Sequence, residues 1–93
     1  MNIPSELDGA KVILYTDNKE INYFGYVRYE DHNETITALA IAKYANGEGY
    51  YLFSCDIEWN VIGDTLHSTL EEAKHCAENS EGGKGIIWRT IKL

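Results

Sequence analysis

Basic side chains are scarce in the very part of this sequence where acidic ones abound. Residues 1–68 carry four bases, Lys11, Lys19, Arg28 and Lys43, against eleven acids, whereas residues 69–93 carry four of each. The net charge of −7 therefore resides entirely in the first 68 positions. A surface of that sign repels phosphate backbones and anionic lipid, which argues against nucleic-acid and membrane partners. It attracts a basic protein and speeds the encounter. Cysteine is nearly absent too: Cys55 and Cys76 have no motif spacing, so neither a disulfide framework nor a paired-cysteine zinc site is expected. No apolar run approaches the roughly 20 residues of a membrane span. The opening residues 1–15 lack the basic start and apolar stretch of an export signal, which predicts a cytoplasmic protein with reduced thiols.

Ninety-three residues predict a single domain, 1–93. A chain this short buries only about two-thirds of its unfolded surface, which leaves little for a deep cofactor pocket, and no cofactor is expected. The hydrophobic share of 44% is that of a folded chain. Residues 10–16 form an apolar, β-forming run closed by the turn pair Asp17-Asn18. Residues 21–30 are dense in Tyr, Phe and Val and read as a second strand, with Gly25 marking a bulge or a close backbone approach. Residues 31–34 make a polar turn. Residues 35–44 alternate Ile36, Ala38, Ala40, Ala42 and Tyr44 against Thr37, Leu39, Ile41 and Lys43, a strand that Asn46-Gly47 closes as a hairpin. Residues 50–56 place Tyr51, Phe53 and Cys55 on one side and Tyr50, Leu52 and Ser54 on the other, and residues 60–66 return as a short strand. Ser68 with Glu71 reads as a capping box for a helix over 69–79, whose apolar stripe is Leu70, Ala73, Cys76 and Ala77. Glycines in 80–85 end it, and 86–93 is a last strand. The fold class is α+β: a mostly antiparallel sheet of five or six strands, one C-terminal helix packed on one face, and a final strand.

Three kinds of site compete for the polar residues. A metal site from Cys55, Asp56, Asp64, His67, His75 and Cys76 lacks any ligand-pair spacing, and both cysteines read as small core hydrophobes. Catalysis by Cys55 with His67 or Cys76 with His32 has no glycine elbow or reactive-thiol signature behind it, and of the acid–base pairs Asp56 with Glu58 and Asp64 with His67, the first is two acids in a turn, which are usually solvated. Residues 64–68 have a ready structural use at a strand-to-helix junction. No catalytic or metal residue is therefore expected. Docking fares better, because three acidic turns lie in the acidic part of the chain. They are 16–20 with Asp17 and Glu20, 29–34 with Tyr29, Glu30, Asp31 and Glu34, and the 56–59 tip with Asp56, Glu58 and Trp59. Tyr29 and Trp59 are the expected apolar anchors for an electropositive partner.

The stretch from Tyr50 to Glu78 also carries a pattern: Tyr51-Leu52-Phe53, Cys55-Asp56, Trp59-Asn60-Val61-Ile62, Asp64-Thr65, His67, then Leu70-Glu71-Glu72-Ala73-Lys74. In this it resembles the small acidic cytoplasmic immunity proteins of bacterial toxin–immunity systems, including contact-dependent growth inhibition. The resemblance implies a non-enzymatic protein that neutralises one cognate toxin, often a nuclease, by binding it. The expected partner is thus a basic toxin domain, an RNase or DNase. The alternatives are a regulatory or adaptor domain with another basic partner, and a small enzyme using Asp64 and His67.

Overall fold

The computed structural model describes residues 2–80 and 82–91. Its strands are β1 (Glu6–Leu7), β2 (Ala10–Tyr15), β3 (Tyr26–Arg28), β4 (Asn33–Thr35), β5 (Ala38–Lys43), β6 (Tyr50–Cys55) and β7 (Val61–His67), followed by helix α1 (Leu70–Glu78). Five strands form one antiparallel sheet in the order β1-β2-β5-β6-β7, and β3 pairs with β4 as a separate hairpin. The architecture is α+β as expected, with α1 against the sheet.

Both faces of the sheet are covered, and side-chain size decides how. On one face the alanines of β5 (Ala38, Ala40, Ala42) make a shallow floor beneath Phe53, Cys55, Val12 and Trp59, with Tyr15, Tyr44 and Tyr51 around them. On the other face Leu39, Ile41 and Leu52 stand tall, and the helix meets them with Ala73 and Ala77. Large against small in both layers is what native packing density requires. The alternation expected for residues 50–56 holds, with Tyr51, Phe53 and Cys55 in the first layer and Tyr50 and Leu52 in the second.

Two register shifts curl the sheet and serve the same packing. One falls between Val12 and Leu14, the other opposite Ser54/Cys55, where Gly63 and Val61 are paired and Ile62 is the extra residue. A period-2 strand reverses the faces of all later residues when one residue is added. The first shift sends Leu14 to the helix layer and Tyr15 to the aromatic layer; the second lets Val61 join Cys55 while Ile62 joins the helix layer.

The segment 35–44 is two strands rather than one. Phe24 N–H donates to Ile36 O and Ile36 N–H to Gly25 O, while Thr37 N–H donates to Cys55 O. The backbone changes partner between Ile36 and Thr37, from the hairpin to the main sheet. Ile36 consequently packs with Leu39 and Ile41, and not with Ala38. Gly25 has φ +105 and is buried just before β3, a conformation glycine adopts without cost.

The helix start lies one residue beyond the expected box. Thr69 is the cap, accepting from Glu72 N–H at 3.1 Å, and the Glu72 carboxylate accepts from Ser68 N–H at 3.2 Å. Cys76 is exposed and leaves the predicted stripe. At about 100° per residue Leu70, Ala73 and Ala77 fall within roughly 60°, and Cys76 lies about 60° outside that arc. A nine-residue helix resting on two alanines buries no wider face. The predicted last strand narrows to one antiparallel pair, Tyr15 with Arg89, whose N–H groups each donate to the other's carbonyl. β1 already occupies the start of β2 on this edge, so only the later part of the strand is open. Positions 92 and 93 of that prediction lie outside the described residues. Among the described residues no helix is long and apolar enough to cross a membrane.

Candidate partner-binding surface

Two of the three acidic turns, 38 residues apart in sequence, are joined into one surface by a single amide. Asn18 Nδ2 donates to Asp56 O at 2.9 Å and to Ile57 O at 3.2 Å, while Asn18 Oδ1 accepts from the buried Thr37 hydroxyl. Loop 16–22 is held in shape by Asn22, whose side chain donates to Asp17 O at 2.7 Å and whose N–H donates to Lys19 O at 2.9 Å. Glu20 and Glu58 are exposed on the joined loops.

Asp17 and Asp56 have structural work of their own. Arg89 grips Asp17 with two nitrogens, and those hydrogen bonds, with the guanidinium charge, hold the Asp17 carboxyl below its ordinary value. Asp56 closes its turn: its carboxylate accepts from Glu58 N–H at 3.0 Å, Asn60 N–H at 2.8 Å and Asn60 Nδ2 at 3.0 Å. Such a carboxylate supports the tip more than it projects from it.

Trp59 does not occupy the surface expected of it. It is only 5% exposed and packs edge-on against Tyr15 with ring centroids 6.0 Å apart. Its φ of +65 is the reason. A three-residue hairpin loop ends with a residue in the left-handed region, and here that residue is a tryptophan. The turn therefore drives the indole down into the core, and burial of so large a ring offsets the strain of about 1–3 kcal/mol. Ile57, 38% exposed, is the apolar side chain left at the tip. Neither Ile57 nor Asn18 stands out in the sequence, since Asn beside Asp signals only a turn.

The third turn is a self-contained knot. Tyr29 N–H donates to His32 O at 2.8 Å, and the two rings stack at 4.9 Å. The His32 ring lies 2.6 Å from Asp31 Oδ1 and 3.2 Å from Glu34 Oε1. Glu30 and Asp31 are exposed and Tyr29 is 40% exposed.

The catalytic pairings that involve His67 are not assembled, because Cys55 and Asp64 lie on the other face of the sheet. Asp64 pairs with Phe53 on the aromatic face and His67 with Tyr50 on the helix face. The nearest partner of the His67 ring is Thr65 Oγ1, at 2.7 Å. Cys55 is buried in the aromatic layer, and burial, then the charges of Asp56 and Asp8, push its thiol up to about 12. Among the described residues no group of three or more His, Cys, Asp or Glu is gathered as a metal cluster. A groove of about 470 Å3 lies beside the joined loops, lined by Asp17, Asn18, Trp59 and Arg89. A larger one of about 850 Å3 runs along β2 past Lys11 and Lys43 and touches none of the nine expected docking residues. No protein-family model, curated protein or solved structure matches this chain.

Proposed function

We propose that this chain is an immunity protein that binds a cognate bacterial toxin domain, a basic nuclease, and neutralises it by covering its active site with an acidic surface. The observation that carries the reading is the Asn18 junction, which makes one acidic, aliphatic-tipped surface from two separate turns. Nuclease clefts are basic because they hold phosphate, and a rigid acidic surface offers them the same charge. Glu20 and Glu58 supply the free charge and Ile57 the apolar contact, with Tyr29, Glu30, Asp31 and Glu34 on the separate hairpin tip. The test requires a candidate toxin, and a reading frame beside this gene that specifies a basic nuclease domain would supply it. Calorimetry at low and high salt should show tight binding that weakens as salt rises, and a Glu20→Lys, Glu58→Lys variant should lose at least about tenfold in affinity. Undiminished nuclease activity in the presence of a stoichiometric excess of this chain refutes the reading.

A further inference from the structure

The main sheet has two edges, and they are treated differently. At one edge β2 is covered by the two-residue β1 and by the Arg89 pair. At the other, β7 is seven residues long and, among the described residues, pairs with β6 alone. A strand in that position presents a row of backbone N–H and C=O groups to any incoming strand. The usual protections are thin: β7 has no proline and no lysine, and its one register shift lies at the Val61 end. Asp64, Thr65 and Leu66 are exposed in succession, Leu66 at 58%.

The charge on this strand and on the stretch of chain that flanks it in sequence selects the occupant. Between Lys43 and Lys74 the chain holds Glu48, Asp56, Glu58, Asp64, Glu71 and Glu72 and not one lysine or arginine. A second copy of this chain would set Asp64 and its acidic neighbours against themselves, a juxtaposition that costs affinity. Asp64 and Leu66 point to the same face, where Leu66 adjoins Tyr51, itself stacked on Phe53 and edge-on to Tyr44. An incoming strand therefore meets a carboxylate and, two residues along, an apolar shelf.

We infer that β7 is a docking edge for a β-strand of a basic partner, a strand that places lysine or arginine opposite Asp64 and an apolar side chain opposite Leu66. The added strand extends the sheet by backbone pairing, and the two side-chain positions select it. The inference rests on the toxin-binding reading for the partner's sign and adds where its backbone docks.

The probe is a disulfide-cyclised hairpin peptide whose outer strand alternates arginine and valine on one face, with a counterpart bearing glutamate for arginine. Amide exchange and chemical shifts are followed by NMR on the intact labelled chain. The basic peptide should slow exchange of alternate β7 amides and show cross-strand contacts to Asp64 and Leu66. The acidic counterpart should bind weaker by about tenfold or more, and Asp64→Lys should reverse that preference. The inference is overturned if the basic peptide leaves β7 amides unchanged, if both peptides bind alike, or if sedimentation shows a dimer of this chain that already protects β7. Neutralisation without β7 protection removes the docking edge alone; β7 protection without neutralisation removes the toxin reading alone.

Discussion

Replacing Asn18 with alanine tests the junction that unites the two acidic turns. The substitution removes three hydrogen bonds, to Asp56 O, Ile57 O and the Thr37 hydroxyl. Two of them are partly exposed in surroundings where water can replace the lost donor, so each contributes about 0.5–1.5 kcal/mol. The third is different in kind. Thr37 is only 6% exposed, and its hydroxyl would be left without its acceptor, a penalty of about 1–3 kcal/mol. The expected loss is about 2–6 kcal/mol, or a fall in Tm of roughly 10–30 °C for a domain of this size. Thermal and urea unfolding of Asn18→Ala, Thr37→Val and the double variant measure it. Because the valine removes the orphaned hydroxyl, the double variant should be more stable than the two single losses predict, by about 1 kcal/mol or more. Additive losses, or a single-variant loss below about 0.5 kcal/mol, would refute the claim that this amide holds the loops together.

Two further predictions concern the thiols and pH. In the native chain at pH 8, a thiol reagent should label Cys76 rapidly and Cys55 hardly at all, since Cys76 is exposed while Cys55 is buried with its thiol pushed up to about 12. Denaturant should expose the second thiol; two fast native thiols would contradict the packing. Arg89 lowers the Asp17 carboxyl below its ordinary 3.8, so the unfolded state binds the proton more readily. That contribution is complete above the unfolded value and disappears as pH falls through the lower folded one. Arg89→Met should therefore flatten the acid side of the stability–pH curve below about pH 4, and an unchanged curve there would show that the pair does not act.

Much of the scaffold was legible in local pattern. Strict alternation in 50–56 assigned Tyr51, Phe53 and Cys55 to one layer, and glycine, asparagine and aspartate marked the turns. Two of the departures share a cause: each depends on a partner distant in sequence. The segment 35–44 reads as one strand until its first residues pair with β3 and the rest with β2 and β6. The apolar stripe of α1 includes Cys76 until the sheet accepts only the Ala73–Ala77 side. The capping box moves by one residue for a local reason: both Ser68 and Thr69 can cap, and it is Thr69 whose hydroxyl accepts from Glu72 N–H.

The candidate surface divides in the same way. Sequence alone determined its sign, because charge is additive and needs no neighbour: the excess of acids over bases lies before the helix wherever the chain folds. It also determined that three acidic turns exist, since turn chemistry is local. Tertiary structure decided which of those turns meet, through one amide reaching across 38 residues. It decided that Trp59 belongs to the core and Ile57 to the tip, because a left-handed residue at the end of the hairpin reverses which side chain faces water. It also left β7 at the open edge of the sheet, a position set by strand order, which no local pattern encodes.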